Sequence, residues 1–148
     1  MKKLTFAALA VLIILVFSVG FFLLRPANTL QIVIGGVTLT VDTAKTQAGQ
    51  QRGLSGRDSL LPNHGMLFVF ERESTWGFWM KDMKFSLDII WFNSNRQAVF
   101  IEQSLQPCSP QSCPIYIPTI NAVYVLEVNA GFVQSHHISL GDTFNFLG

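Results

Sequence analysis

The chain has 148 residues, a formal net charge of +1 and a hydrophobic content of 49%, which is high for a soluble protein. Its length allows one domain with its own core. Beyond residue 28 the cations and acids are dispersed, with no basic stripe. Nucleic-acid binding needs clustered Lys and Arg to neutralise phosphates, so we expect no nucleic-acid partner.

An uncharged apolar segment at residues 4–24 follows Lys2 and Lys3. A helix of this length measures about 30 Å, the thickness of the hydrocarbon core of a membrane. We therefore predict an N-terminal transmembrane helix in a membrane anchor at 1–25, with the N-terminus inside and the remainder periplasmic or extracellular. The alternative is a cleaved signal peptide, which would give a secreted protein.

A linker at 26–29 leads into a predicted β-rich extracytoplasmic domain at 30–148. Alternating apolar residues at 30–34 and 37–41 flank Gly35-Gly36, a pattern typical of a β-hairpin. Residues 44–52 are predicted to form a helix that Asp42 or Thr43 caps and Gly53 ends.

Further strands are predicted at 66–70, 77–80, 87–92, 99–105, 122–128 and 143–147, and a helical turn at 132–137. Short strands at this spacing indicate a mostly β fold, which we expect to be a closed or nearly closed small β-barrel or sandwich with one short helix packed on it.

Two carboxylates interrupt otherwise apolar strands. Asp88 shares one face of its strand with Ile90 and Phe92, and Glu127 shares a face with Val123 and Val125. An unpaired buried charge is very costly, so each carboxylate needs a partner or a function. Asp88 is either a structural group, in an ion pair or accepting backbone N–H groups, or a site residue. Together the two would serve as the acid and base of a glycosidase if they lay about 5–9.5 Å apart.

The candidate polar site consists of Arg52, Lys81, Asp88 and Glu127. Trp76 and Trp79 are candidate ligand-contact aromatics, with core packing as the alternative. His64, His136 and His137 lack the spacing of a metal site, and we predict neither a metal nor a cofactor.

Cys108 and Cys113 are the only cysteines and lie in a proline-rich loop. In an oxidising compartment their proximity favours a disulfide, with free or metal-bound thiols as the alternative.

Several segments together resemble the prokaryotic family of domains of unknown function called DUF192. They are 51–54 (QRGL), 65–70 (GMLFVF), 78–81 (FWMK), 87–89 (LDI), 125–131 and Gly141-Asp142. The resemblance implies a compact β-rich domain, often exported, without an established activity. It also implies that Arg52, Lys81, Asp88 and Glu127 are among the family's marked residues.

We therefore expect a membrane-tethered binding or accessory module of the cell envelope, whose ligand is an envelope glycan, a small molecule or a protein partner. The alternatives are a small carbohydrate-acting hydrolase that uses paired carboxylates, and a purely structural envelope protein. Convergence of the four candidate site residues in one cavity would favour a functional site.

Overall fold

A computed structural model describes residues 29–109 and 111–147 of the chain. The predicted membrane anchor at 1–25 lies outside these residues. Within the described ranges, no helix is both long enough and apolar enough to cross a membrane.

The described residues form nine strands and two short helices, which are joined by loops and turns. In chain order they are β1 (Thr29–Ile34), β2 (Val37–Ala44), α1 (Gln47–Arg52), β3 (His64–Ser74), β4 (Phe78–Trp79), β5 (Leu87–Phe92), β6 (Ala98–Leu105), β7 (Ile115–Tyr116), β8 (Ala122–Asn129), α2 (Phe132–Ser135) and β9 (Asn145–Leu147). The prediction of a mostly β fold is confirmed.

Seven strands form one sheet in the order β6-β5-β8-β3-β2-β1-β9, and β4 pairs with β7 in a separate ribbon. The large sheet is open, so the prediction of a closed barrel is wrong. No ladder joins its edge strands β6 and β9 among the described residues, although Gln97 and Thr143, which precede them, form an isolated β-bridge. Strand spacing along the sequence predicts how many strands form, but it does not determine whether the two edges pair.

The predicted hairpin is confirmed, with Gly35 and Gly36 at φ +56° and +75° between β1 and β2. The predicted caps of α1 are wrong, because Asp42 and Thr43 remain in β2 and pair with β3. The helix begins later, where the Thr46 hydroxyl accepts a hydrogen bond from the Gly49 N–H at 3.2 Å. Gly53 ends it as predicted.

The strand β2 and the strand β3 run parallel, with α1 in the connection between them, while β8 pairs antiparallel with both β3 and β5. This crossover places β3 in the interior of the sheet beside β8. All six residues of β5 are buried. The centre of the sheet is therefore covered on both faces.

Two separate apolar clusters cover the two faces. The first face carries Ile90, Leu126 and Val128, together with Val133 of α2. The second face carries alternate residues of the same strands, Phe68, Ile89, Trp91 and Val125, together with Leu54 after α1. Consecutive residues of the central strands thus belong to different cores, as the period of two in a strand requires.

The predicted disulfide between Cys108 and Cys113 is present, with the Cα atoms 4.9 Å apart. The backbone of Cys108 also forms an isolated β-bridge with that of Lys81, which follows β4. The proline-rich loop is therefore attached to the β4 segment, on the second face of the sheet.

Candidate functional site

A cavity of about 380 Å³ lies on the second face of the sheet. One wall is polar and comes from α1, which supplies Gln47, Gln50, Gln51 and Arg52. The opposite wall is aromatic and is formed by Phe68, Phe70, Trp76, Phe78 and Trp79. Glu127 of β8 lines the cavity from the sheet. The site thus joins one carboxyl group to a largely aromatic enclosure.

The aromatic wall is braced by contacts between its own rings. Phe70 stacks on Trp76 with centroids 4.1 Å apart, and Phe78 meets the edge of Phe68 at 4.8 Å. Phe78 also packs against buried Trp91, whose Nε1 donates to the Trp76 carbonyl at 2.8 Å. Such interlocked edge-to-face and stacked rings hold their positions without a ligand.

The polar wall lies close to the sheet for two reasons, a hydrogen bond from the Gln50 side chain and the absence of a side chain at Gly53. The Gln50 Nε2 donates to the Val69 carbonyl at 2.9 Å and attaches α1 to β3. Gly53 has φ +51°, and a Cβ there would lie 3.2 Å from the Phe68 ring and 3.7 Å from the Glu127 Oε2. Glycine therefore lets the end of α1 pass beside the carboxyl group.

Glu127 is the most unusual residue of the site. Its neighbours across the sheet, Met66 and Ile89, are apolar. The side chain is buried, and its Oε2 has no hydrogen-bond partner among the described residues. Burial raises the pKa of this carboxyl from 4.5 to about 8, while the nearby charge of Arg57 lowers it. At pH 7 the group is therefore mostly protonated, which reduces the cost of its desolvation.

Asp88 is equally buried but fully hydrogen-bonded. Its two carboxylate oxygens accept from the backbone N–H groups of Ser104 at 2.8 Å and Val133 at 2.9 Å. Ser104 has φ +54°, in a stretch where the β5–β6 register shifts, and Val133 lies in the first turn of α2. Asp88 therefore accepts backbone N–H groups, as the structural alternative weighed for it requires.

Asp88 and Glu127 lie on opposite faces of the sheet. Asp88 is opposite Val128, whereas Glu127 is opposite Ile89, so the two carboxylates alternate across adjacent strands. A glycosidase pair must flank one substrate from a shared cleft. The structure therefore contradicts the paired-carboxylate mechanism.

Of the other predicted site residues, some line the cavity and one does not. Arg52, Trp76 and Trp79 line the cavity together with Glu127. Lys81 is exposed and does not line it, although its Nζ lies 5.9 Å from the centre of the Trp79 ring. Two of the four polar candidates and both aromatic candidates thus meet in one place.

Sequence reasoning missed the glutamines of α1 and the phenylalanines of the opposite wall. Gln47, Gln50 and Gln51 follow a spacing of three and four, which places them on one face of a helix and was a usable signal. The role of Arg57 had no such signal, because its ion pair with Asp42 at 2.7 Å joins a loop to β2.

In the described ranges, no group of three His, Cys, Asp or Glu side chains forms a metal-binding cluster.

The described residues form a small open-sheet β protein with an aromatic-walled cavity. The family DUF192, described as an uncharacterized ACR, matches residues 30–146. The chain therefore belongs to the DUF192 family. Among curated proteins, none matches it.

Two solved structures share the fold. A Sinorhizobium meliloti protein, described provisionally as a transcription regulator, is 29% identical with a TM-score of 0.72, over 80% of this chain and 92% of that one. A Novosphingobium aromaticivorans protein of unknown function is 24% identical with a TM-score of 0.72, over 82% and 89% of the two chains. The second likeness is evidence for the fold alone.

The substitution Asp88→Asn should destabilise the protein without affecting the cavity. An amide would present a donor to one of the two backbone N–H groups, and we expect a loss of about 2–4 kcal/mol in the free energy of unfolding. Denaturant titration of the full chain measures this loss. The exposed Asp82→Asn is the control and should change the free energy by less than about 0.5 kcal/mol. A neutral Asp88→Asn would contradict the structural role.

The stability of the protein should depend on pH through Glu127. The folded-state pKa lies above the unfolded value, so between pH 4.5 and about 8 the unfolded chain releases a proton that the folded chain retains. Unfolding therefore becomes easier as the pH rises through this window, by about 5 kcal/mol in total. Glu127→Gln, which resembles the protonated acid in shape, should match the wild type at pH 4.5 and exceed it at pH 8.5.

Urea titrations of the full chain at pH 4.5, 6.5 and 8.5 measure this difference. The exposed Glu71→Gln on β3 is the matched control and should follow the wild type at every pH. A constant difference between Glu127→Gln and the wild type would show that Glu127 does not titrate in this window.

Proposed function

We propose that the protein is a membrane-tethered extracytoplasmic binding module that holds a small ligand in the cavity beside Glu127. The observation that carries the proposal is a buried carboxyl oxygen, without a hydrogen-bond partner in the described residues, that lines an aromatic-walled cavity. Buried polar groups in native proteins are nearly always satisfied, and an exception calls for a specific explanation. A ligand group at Glu127 supplies one.

The shape and composition of the cavity support a ligand site. Its volume of about 380 Å³ falls within the range of small-molecule pockets, which are mostly apolar with a few placed polar groups. The aromatic wall offers flat surfaces for stacking, and the α1 wall offers the side-chain amides of Gln47 and Gln51. A purely structural role would leave both the cavity and the unsatisfied carboxyl unexplained.

Catalysis is not part of the proposal. The carboxylate pair that motivated a hydrolase is divided between the two faces of the sheet, and Asp88 is occupied by two backbone N–H groups. Nucleic acid is also a poor candidate, because residues 29–148 carry three Lys and four Arg against nine acids. The regulator description of the S. meliloti protein is therefore not extended to this chain.

The proposed location depends on the N-terminal segment and the cysteines. The apolar residues 4–24 would act as the anchor, and 26–29 as a short linker that keeps the domain near the membrane. The disulfide between Cys108 and Cys113 supports an oxidising compartment, because such bonds are rare in the cytosol.

Cavity occupancy is tested by blocking the cavity from α1. Gln51 and Ala48 are both exposed on this helix, but Gln51 lines the cavity and Ala48 does not. A panel of oligosaccharides, organic ammonium compounds and carboxylates is screened by thermal unfolding of the full chain in a non-ionic polyoxyethylene detergent. A ligand at a hundred times its Kd stabilises the folded state by about 2.7 kcal/mol, which raises the Tm by several degrees.

We expect at least one compound to raise the Tm of the wild type and of Ala48→Trp, but not of Gln51→Trp. A shift of equal size in both variants would place binding outside the cavity. No shift with any compound would contradict the binding role.

The location is tested with fusions at the C-terminus. Alkaline phosphatase needs disulfides and is active only outside the cytoplasm, whereas a standard fluorescent protein does not fold after export in the unfolded state. In a bacterial host we expect the phosphatase fusion to be active and the fluorescent-protein fusion to be non-fluorescent. Deletion of residues 2–25 should reverse both results. The intact mass of the purified protein distinguishes an anchor from a cleaved signal peptide. A fluorescent full-length fusion would refute export.

A further inference from the structure

We propose that the ligand is a small organic cation whose ammonium group binds between the aromatic wall of the cavity and the carboxylate of Glu127. The inference rests on the binding role proposed above and narrows it to one chemical class. Two independent features of the cavity, its acid and its rings, point to the same class.

The first feature is the acid. Glu127 is the only Asp or Glu among the residues that line the cavity, and its Oε2 lacks a hydrogen-bond partner within the described ranges. The side chains of Met66 and Ile89, which flank it in the sheet, carry no polar hydrogen to donate. A carboxylate removed from water attracts a cation far more strongly than an exposed one does.

The second feature is the set of rings. The π face of an aromatic ring is electronegative and attracts cations, and Trp gives the strongest attraction. Two rings of the wall already have cations near them, since the Arg72 guanidinium lies 5.9 Å from the centre of the Trp76 ring and the Lys81 Nζ lies 5.9 Å from that of Trp79. Trp79 is 46% exposed and lines the cavity, so part of its surface remains for a ligand.

Three cationic side chains lie around the cavity, and they determine where a second positive charge is tolerated. Arg57, which acts on Glu127 from the segment after α1, is paired with the Asp42 carboxylate of β2 at 2.7 Å. Arg52, at the end of α1, is exposed and lines the cavity, and Lys81 lies outside it near Trp79. Arg52 and Lys81 repel a cationic ligand at their end of the cavity, whereas Arg57 is already paired with Asp42. The ammonium group therefore binds most favourably beside the buried carboxylate of Glu127.

Binding of a cation should be coupled to the loss of one proton. Without ligand, the pKa of Glu127 is about 8, so the carboxyl is mainly protonated at pH 7. An ammonium group stabilises the carboxylate and lowers this pKa, and the proton passes to the solvent. The affinity should therefore rise about tenfold per pH unit below pH 8 and level off above it.

The test compares choline with 3,3-dimethyl-1-butanol, which has the same shape but carries a carbon in place of the charged nitrogen. Both are titrated by calorimetry into the full chain in a non-ionic polyoxyethylene detergent at pH 6, 7 and 8.5. We expect choline to bind at least tenfold more tightly than the alcohol at pH 8.5. In two buffers of different ionisation enthalpy, choline binding should be accompanied by the release of most of one proton at pH 7.

Three variants locate the interaction. Glu127→Gln should weaken choline binding at pH 8.5 at least thirtyfold and abolish proton release, while its unfolding transition shows that it remains folded. Trp79→Ala, at a half-exposed position, should weaken choline binding about fivefold through the lost cation–π contact. Glu71→Gln, outside the cavity, should bind choline as the wild type does.

Equal affinity for choline and the alcohol, or undiminished choline binding by Glu127→Gln, would overturn the inference. If choline fails to bind while another compound of the panel binds and Gln51→Trp blocks it, the ligand class is wrong and the binding role remains. If no compound binds at all, the binding role itself is refuted.

Discussion

Burial of the central strands on both faces is the constraint on which the rest of the structure depends. Strand β8 lies between β3 and β5, so every second side chain enters one core and the remainder enter the other. Water is excluded from both sides, and any charged residue there must be satisfied, neutralised or provided with a ligand. The positions of Asp88 and Glu127, and the difference between them, follow from this single condition.

The two buried carboxylates meet the condition in different ways. Asp88 accepts two backbone N–H groups and joins β5 to β6 and to α2, so both of its oxygens are hydrogen-bonded within the protein. Glu127 has apolar neighbours and an oxygen without a hydrogen-bond partner among the described residues, so its burial raises its pKa and leaves a proton and a hydrogen-bonding site in the cavity. One carboxylate thus stabilises the fold, and the other supplies the chemistry of the proposed site.

Much of the local structure could be predicted from residue patterns. The strand at 87–92 has the predicted bounds, and the Gly35-Gly36 hairpin, the end of α1 at Gly53 and the disulfide also agree with prediction. These features depend on neighbouring residues, through alternation, glycine conformation and short loops. The start of α1 was misplaced because Asp42 and Thr43 pair with β3, a contact with residues more than twenty positions away.

The sequence by itself determined that the protein is mostly β, which residues are apolar, and that two carboxylates lie in apolar strands. It did not determine which strands are neighbours, because hydrogen bonds between strands join residues that are distant in the chain. Only the tertiary structure decided that β3 enters the sheet beside β8, that the sheet stays open, and that Asp88 and Glu127 face opposite ways. The cavity is a consequence of those pairings, since α1, the aromatic wall and Glu127 are distant in the chain and are brought together by the sheet.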